Sequence, residues 1–306
     1  MGGGNWSDDA YKHIKTSYKS KAVDDIFVNN KMGTAGSDML PKDVKFRECR
    51  DSEAHPNTFG VMVSLDQTGS MDRIPLQLVK GALGTLMETL IKHGINDAQV
   101  LFSAIGDLYS DRCPLQVGQF ESGAVELNKW LSSVYLEGNG GGDSHESYGL
   151  AWLFAARHTS MDCFEKRGQK GLLFTIGDES NHAIFKANKL KELMGYAQSE
   201  DITDAAILAE AQRMYHVFHI HVNEGSYRDD ANVLGYWRKA LGERLIICND
   251  YNQIAELIAS TVAIIHGLDL DKFTSSFDPK TAIDVKNALA KVTKDVTTKD
   301  SGVVNL

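Results

Sequence analysis

Apolar runs of strand length alternate with longer segments of helical period through the middle of the chain. The run 59–65 (FGVMVSL) predicts a buried strand, and 73–93 (RIPLQLVKGALGTLMETLIKH) a helix stopped by Gly94. A strand at 98–105, a short edge strand near 115–120 and a helix near 123–133 follow. The stretch EGNGGGDSHES at 137–147 has no apolar period and predicts a loop. Beyond it come the helix SYGLAWLFAARH, a strand at 171–176 (GLLFTI) and helices within 182–196 and 203–214. A strand at 216–222 (HVFHIHV), a helix at 229–241, a strand at 244–248 and a helix at 252–265 close the pattern.

Six strands mostly separated by helices predict an α/β fold: a doubly wound, mostly parallel six-stranded sheet with helices on both faces, Rossmann-like in its winding. In such sheets ligands bind at the carboxyl ends of strands, near the point where strand order reverses. This pattern occupies residues 57–265. Residues 1–56 form an N-terminal extension with one predicted helix (DDAYKHIKTSYKSKAVDDIF), which sets Tyr11, Ile14 and Tyr18 on one face. That basic, Tyr-containing stretch is expected to dock either on its own acidic domain or on another subunit. Residues 266–306 form a C-terminal extension, with a weak helix near 279–292 and a Lys/Thr/Asp/Ser-rich tail expected to be mobile.

Charge sharpens this division. The 306 residues carry 32 Lys and Arg against 41 Asp and Glu, a formal −9. The two extensions are each neutral, so the whole surplus lies in 57–265. A net −9 argues against a nucleic-acid binder, which shows a basic footprint. No apolar stretch approaches the roughly 20 residues needed to span a bilayer, and the opening MGGGNWSDDAYKHIK has no apolar leader core. Cys49, Cys113, Cys163 and Cys248 lie far apart without a CxxC pair, which fits reduced thiols and a cytoplasmic location.

Three polar clusters fall at predicted element boundaries, where a site would be built. Asp66, Thr68 and Ser70 directly follow FGVMVSL at a spacing of two, so one loop can aim a carboxylate and two hydroxyls at a point. Gly140 to Glu146 (GGGDSHE) precedes a helix. Gly177, Asp178 and Glu179 follow GLLFTI. Hard oxygen donors of this kind suit Mg²⁺, with Mn²⁺ or Ca²⁺ as alternatives, and suit zinc or copper poorly. Each cluster alone also reads as a helix cap or turn; the three in order, at successive boundaries, point to one metal centre.

On these residues, 57–265 resembles a von Willebrand factor A domain, with DQTGSM as its metal-ion-dependent adhesion site (MIDAS). The family's DxSxS or DxTGS motif falls on Asp66, Thr68 and Ser70, and its strand-TDG aspartate falls on Asp178 in FTIGDES. Its remaining ligand, a Thr after a Gly-rich turn, falls at Asp143 or Ser144, where GGGD replaces GG-x-T. Asp107 in AIGDLYSD is similar to the family's second-strand position, where the role is structural. The resemblance implies a metal set of Asp66, Thr68, Ser70, Asp143 and Asp178, with an open position for a partner's carboxylate. With Asp143 included, three carboxylates around a divalent cation leave about −1, which disfavours an acidic ligand.

Other residues carry weaker signals. His216, His219 and His221 share one strand and with His182 form a candidate transition-metal group, but no cysteine or carboxylate pattern accompanies them. His145 and Glu146 sit beside the candidate metal as supporting or partner-contacting groups. GDSH at 142–145 lacks the strand-to-nucleophile context of a serine hydrolase. No GxxxxGK[ST] or strand-linked GxGxxG occurs.

The chain is therefore expected to be no enzyme but a metal-dependent protein-interaction or scaffold module. The resemblance implies another protein as partner, with AAA+ ATPases of the MoxR type as one class, and allows a homo-oligomer. Neither nucleic acid nor membrane is expected. The alternative is a structural or assembly subunit, of a virion or large complex, that keeps the fold without capturing acidic ligands.

Overall fold

The computed structural model describes residues 4–67, 71, 73–138, 145–195 and 199–300, with side chains described to 293. The first extension folds as α1 (Asp8–Ser17) and α2 (Val23–Ile26), where the apolar period predicts one helix. Tyr18 is the last buried contact of the first, and the exposed Lys19, Ser20 and Lys21 make the break. Ser7 caps α1 by accepting the Ala10 N–H.

The chain continues through β1 (Arg47–Cys49) and β2 (Phe59–Asp66). Then α3 (Arg73–Gln77) runs through a π turn at Leu78–Ala82 into α4 (Leu83–Lys92). Next come β3 (Ala98–Ile105), β4 (Leu115–Val117), α5 (Ala124–Ser132), β5 (His145–Glu146) and α6 (Gly149–His158). After β6 (Thr159–Met161) and α7 (Asp162–Arg167) stand β7 (Gly171–Gly177), β8 (Ser180–Asn181), β9 (Ile184–Phe185) and α8 (Ala187–Met194). The second half runs β10 (Ile202–Thr203), α9 (Asp204–Ala211), β11 (Tyr215–Val222), α10 (Ala231–Leu241), β12 (Leu245–Cys248) and α11 (Ile254–Ile265). Two helices end the chain, α12 (Leu270–Thr274) and α13 (Pro279–Asp300).

The main sheet has six strands in the order β12-β11-β7-β2-β3-β4, all parallel except β4, which pairs antiparallel with β3. This is the expected doubly wound architecture. From β2 the chain moves outward to β3 and β4, then returns to β7 on the other flank of β2, so the strand order reverses between β2 and β7. One helical layer packs α4 against α11 and the other packs α6 against α9. Strands covered on both faces are buried at every position, which explains why they are mostly apolar, with only a few buried polar residues such as Ser64, Gln99, Ser103 and Thr175.

Both extensions join the same buried cluster, which takes Tyr11, Tyr18 and Phe27 from one end and Val285, Leu289 and Val292 from the other. Tyr11 lies over Gly84 of α4, where a Cβ would come within 2.2 Å of its ring, and its hydroxyl donates to the Gly81 carbonyl at 2.9 Å. The first extension thus docks on its own domain. The α13 helix packs against β12 and α11 and runs to Asp300, past the helix end predicted near 292.

Two further boundaries move. The strand expected over 115–120 stops at Val117; the Gly118 N–H still donates to the Phe102 carbonyl at 2.9 Å, and pairing with β3 resumes, one residue out of register, at the Val100–Glu121 bridge. Residues 145–146, inside the predicted loop, form β5 and pair in parallel with β8. Among the described residues no helix is long and apolar enough to cross a membrane.

Candidate metal centre

The crevice at the strand-order reversal is where two of the candidate ligands stand. Asp66 is the last residue of β2, and Asp178 is the first after β7, the strand hydrogen-bonded to β2. Both are almost wholly enclosed, at 1% and 3% exposure. Thr68, Ser70 and Asp143, with the alternative Ser144, lie outside the described residues.

Three features fix the two aspartates. Tyr148, buried at the entry to α6, donates its hydroxyl to Asp66 Oδ2 at 3.0 Å and accepts from the Glu179 N–H at 3.4 Å. Gly177 makes this approach feasible, since a Cβ there would lie 2.0 Å from the Tyr148 hydroxyl and 2.8 Å from Asp66 Oδ2. Asp178 accepts the Tyr227 N–H at 3.4 Å and lies against Gly225, where a Cβ would come within 1.9 Å of its Oδ2. Gln67 pins the exit of β2: its N–H donates to the Ile105 carbonyl at 3.0 Å, its Nε2 to the Cys113 carbonyl at 3.1 Å, and its Oε1 accepts from Gln116 at 2.6 Å.

The electrostatics are those of crowded, dehydrated carboxylates. Glu146 on β5 is 2% exposed, and burial first, then the negative charge of Asp66, push its carboxyl up to about 10. Burial also raises Asp178, against the pull of the Tyr227 and Ser226 N–H groups. Burial and the charge of Asp66 raise the Tyr148 phenol, so it stays a neutral donor. Such a donor set fits a divalent cation, which would offset negative charge that burial and mutual repulsion otherwise oppose. Among the described residues no three His, Cys, Asp or Glu side chains gather as a metal-binding group. The described part of the centre is the Asp66 and Asp178 pair with Glu146 beside it.

Asp107 does not join that pair but organises its rim. It accepts from Ser110 Oγ at 2.8 Å, His182 Nε2 at 2.8 Å, Ser147 Oγ at 3.3 Å and the Tyr109 N–H at 3.3 Å. Burial opposes its charge, yet these bonds outweigh burial and hold its carboxyl below the ordinary value. His182 in turn stacks on His145, with ring centroids 5.5 Å apart, and meets the edge of Tyr109 at 4.9 Å.

His216, His219 and His221 on β11 form no group with His182, which is engaged by Asp107. His219 Nδ1 pairs with Thr175 Oγ1 at 2.9 Å while its ring stacks on Trp237 at 3.5 Å, and Arg244 donates to His216 Nδ1 at 3.1 Å. Burial drives the imidazole of His221 down to about 4 and that of His219 well below its usual value.

Sequence reading placed Gln67 and Gly177 inside two of the polar clusters but gave them no role, and it did not single out Tyr148.

Comparisons with known proteins add little beyond the fold. No family model matches the chain, and no curated protein matches it by sequence. Among solved structures, the pilus adhesin SpaC from Lactobacillus rhamnosus GG is similar at TM-score 0.44 and 11% identity, over 79% of this chain and 31% of that one. Proximal thread matrix protein 1 from the mussel byssus is similar at TM-score 0.42 and 10% identity, over 69% of this chain and 47% of that one. A form of that mussel protein with a zinc-occupied MIDAS motif is similar at TM-score 0.39 and 10% identity, over 66% of this chain and 44% of that one. This chain spans less than half the length of each of these three solved chains.

Proposed function

We propose that the chain is a non-catalytic, metal-dependent protein-interaction or scaffold module of von Willebrand factor A type. In this proposal a divalent cation, Mg²⁺ in the cell, is held by Asp66, Thr68, Ser70, Asp143 and Asp178. The observation that carries the proposal is the placement of Asp66 and Asp178 at adjacent carboxyl ends of β2 and β7, where the strand order reverses. Buried carboxylates rarely persist there without a compensating charge.

Asp143 refines the partner. With Asp66, Asp143 and Asp178 around a divalent cation, three carboxylates leave about −1, while Glu146, kept protonated by burial and by the charge of Asp66, adds none. A neutral oxygen of the partner, from a backbone carbonyl, amide or hydroxyl, then completes the cation's shell more favourably than a carboxylate. The partner class implied by the sequence resemblance is another protein, AAA+ ATPases of the MoxR type included.

The test is capture of a partner from lysate on the immobilised chain, with Mg²⁺ and with chelator. Retention that needs Mg²⁺ and disappears in Asp66→Ala supports the module. Self-assembly of the chain that ignores chelator and Asp66→Ala, without Mg²⁺-dependent capture, favours the structural subunit instead.

A further inference from the structure

Against Asp178 lies the loop 223–230, which joins the end of β11 to the start of α10. One side chain closes its neck. Asn223 donates through Nδ2 to Asp229 Oδ1 at 2.9 Å and to Asn249 Oδ1 at 3.0 Å, and its Oδ1 accepts the Asp229 N–H at 2.8 Å. Asp229 turns there with φ 53°, the one non-glycine residue with positive φ among the described residues. Such a backbone persists only where its surroundings impose it. Glu224, Ser226, Arg228 and Asp229 are exposed along the outside of the loop.

Between these residues the main chain presses inward. Asp178 Oδ2 accepts the Tyr227 N–H at 3.4 Å, and the Ser226 N–H also stabilises its charge. Gly225 allows this approach, since a Cβ on it would lie 1.9 Å from Asp178 Oδ2 and 2.5 Å from its Cγ. Amide N–H groups turn the positive ends of their dipoles towards the carboxylate. A divalent cation on the same carboxylate has the same sign and draws on the same negative charge. Loop and cation therefore compete for Asp178.

We propose that the loop 223–230 is a latch on the candidate metal centre, closed on Asp178 in the structure and loosened when Asp178 turns its charge to a divalent cation. The latch rests on the reading of Asp66 and Asp178 as metal ligands, and it adds regulation to that site. Occupancy of a buried centre is displayed as a change in an exposed loop, where a partner can read it. Asp230 caps α10 by accepting the Asn232 and Val233 N–H groups, so the same change reaches that helix.

The experiment is calorimetry of the full chain with Mg²⁺, together with amide hydrogen exchange at Ser226 and Tyr227. Gly225→Ala forces the main chain off Asp178, and Asn223→Ala opens the neck. Expected are faster exchange of both amides at Mg²⁺ saturation and binding about tenfold tighter in both variants, the equivalent of about one net hydrogen bond. Wild-type binding that Asp66→Ala abolishes, with unchanged or weaker binding in both variants, overturns the latch and leaves the metal centre standing. Slower exchange of the two amides with Mg²⁺ also overturns it, because the loop then closes on the occupied centre. Binding confined to the two variants supports the latch in its strongest form. Binding by none of the three proteins overturns the metal centre and the latch with it.

Discussion

The two ends of the central sheet use the same side chain for opposite purposes. At the end where β2 and β7 begin, Asp162 and Asp51 are held by cations. Arg50 reaches Glu48 at 2.9 Å, Asp162 at 2.9 Å and Glu165 at 2.6 Å, while Lys166 meets Asp162 at 2.7 Å and Arg167 meets Asp51 at 2.7 Å. Burial works against the charge of Asp162, but Lys166, the Asp51 N–H and Arg50 together bring its carboxyl down to about 2. At the end where β2 and β7 finish, burial and then the charge of Asp66, with smaller help from Asp111 and Glu179, outweigh the Ser147 N–H that Glu146 accepts at 2.9 Å, and its carboxyl rises instead of falling. A carboxylate's role follows from what surrounds it. The first end is a closed ion-pair network that ties β1, α7 and the start of β2 together. The second gathers the buried carboxyl groups of Asp66, Asp178 and Glu146, where the charge of Asp66 helps keep Glu146 protonated.

The largest effect that sharpens this contrast is expected at the paired end. Asp162→Ala leaves Arg50 and Lys166 without their most buried partner and should lower unfolding free energy by about 3 kcal/mol in urea titrations. It should leave any stabilisation by Mg²⁺ intact, because it touches only the first end. Next comes Gly177→Ala, whose methyl would press on the Tyr148 hydroxyl and Asp66 Oδ2. Overpacking of this kind costs about 1–3 kcal/mol, and here it should also remove the Mg²⁺ response. A Gly177→Ala protein that keeps the full response would break the contrast.

Smaller effects concern protons. His221 and His219 have folded values below the ordinary 6.5, with His221 at about 4. The unfolded chain therefore binds more protons than the folded one between about 4 and 6.5, so stability rises with pH through that window and is lost as pH falls through it. Chemical denaturation at pH 4.5 and 7 checks the sign, and His221→Gln should flatten the slope. The smallest effect expected is at Glu146. Glu146→Gln removes a carboxyl that the fold already holds protonated, so the metal-free melting temperature should stay level or rise slightly while the Mg²⁺-induced increase shrinks.

The sequence carried these two ends unequally. FGVMVSL, AQVLFSAI, GLLFTI and HVFHIHV are legible because strands covered on both faces need apolar residues throughout, and the aspartates just past two of them mark the carboxyl edge. The pairing of His145–Glu146 with Ser180–Asn181 is not legible. Two residues set no period, and their partner is more than thirty positions away. Tyr148 escapes for a related reason, since its hydrogen bond to Asp66 spans a separation of 82 residues and a tyrosine at a helix entry reads as core. The break between α1 and α2 reflects burial instead: helical period continues past Tyr18, but residues 19–25 are all exposed and burial resumes only at Ile26. Of the five residues proposed as metal ligands, the fold brings Asp66 and Asp178 to adjacent strand ends, and Thr68, Ser70 and Asp143 lie outside the described residues.

The central claim is that the carboxyl end of the sheet is completed by a divalent cation. Titration calorimetry of the chelator-treated chain with Mg²⁺ tests it most directly. The account predicts saturable binding of one equivalent that is lost in Asp66→Ala and retained in Asp162→Asn. Absence of binding for Mg²⁺, Mn²⁺ and Ca²⁺ alike, or binding indifferent to Asp66→Ala, would contradict it.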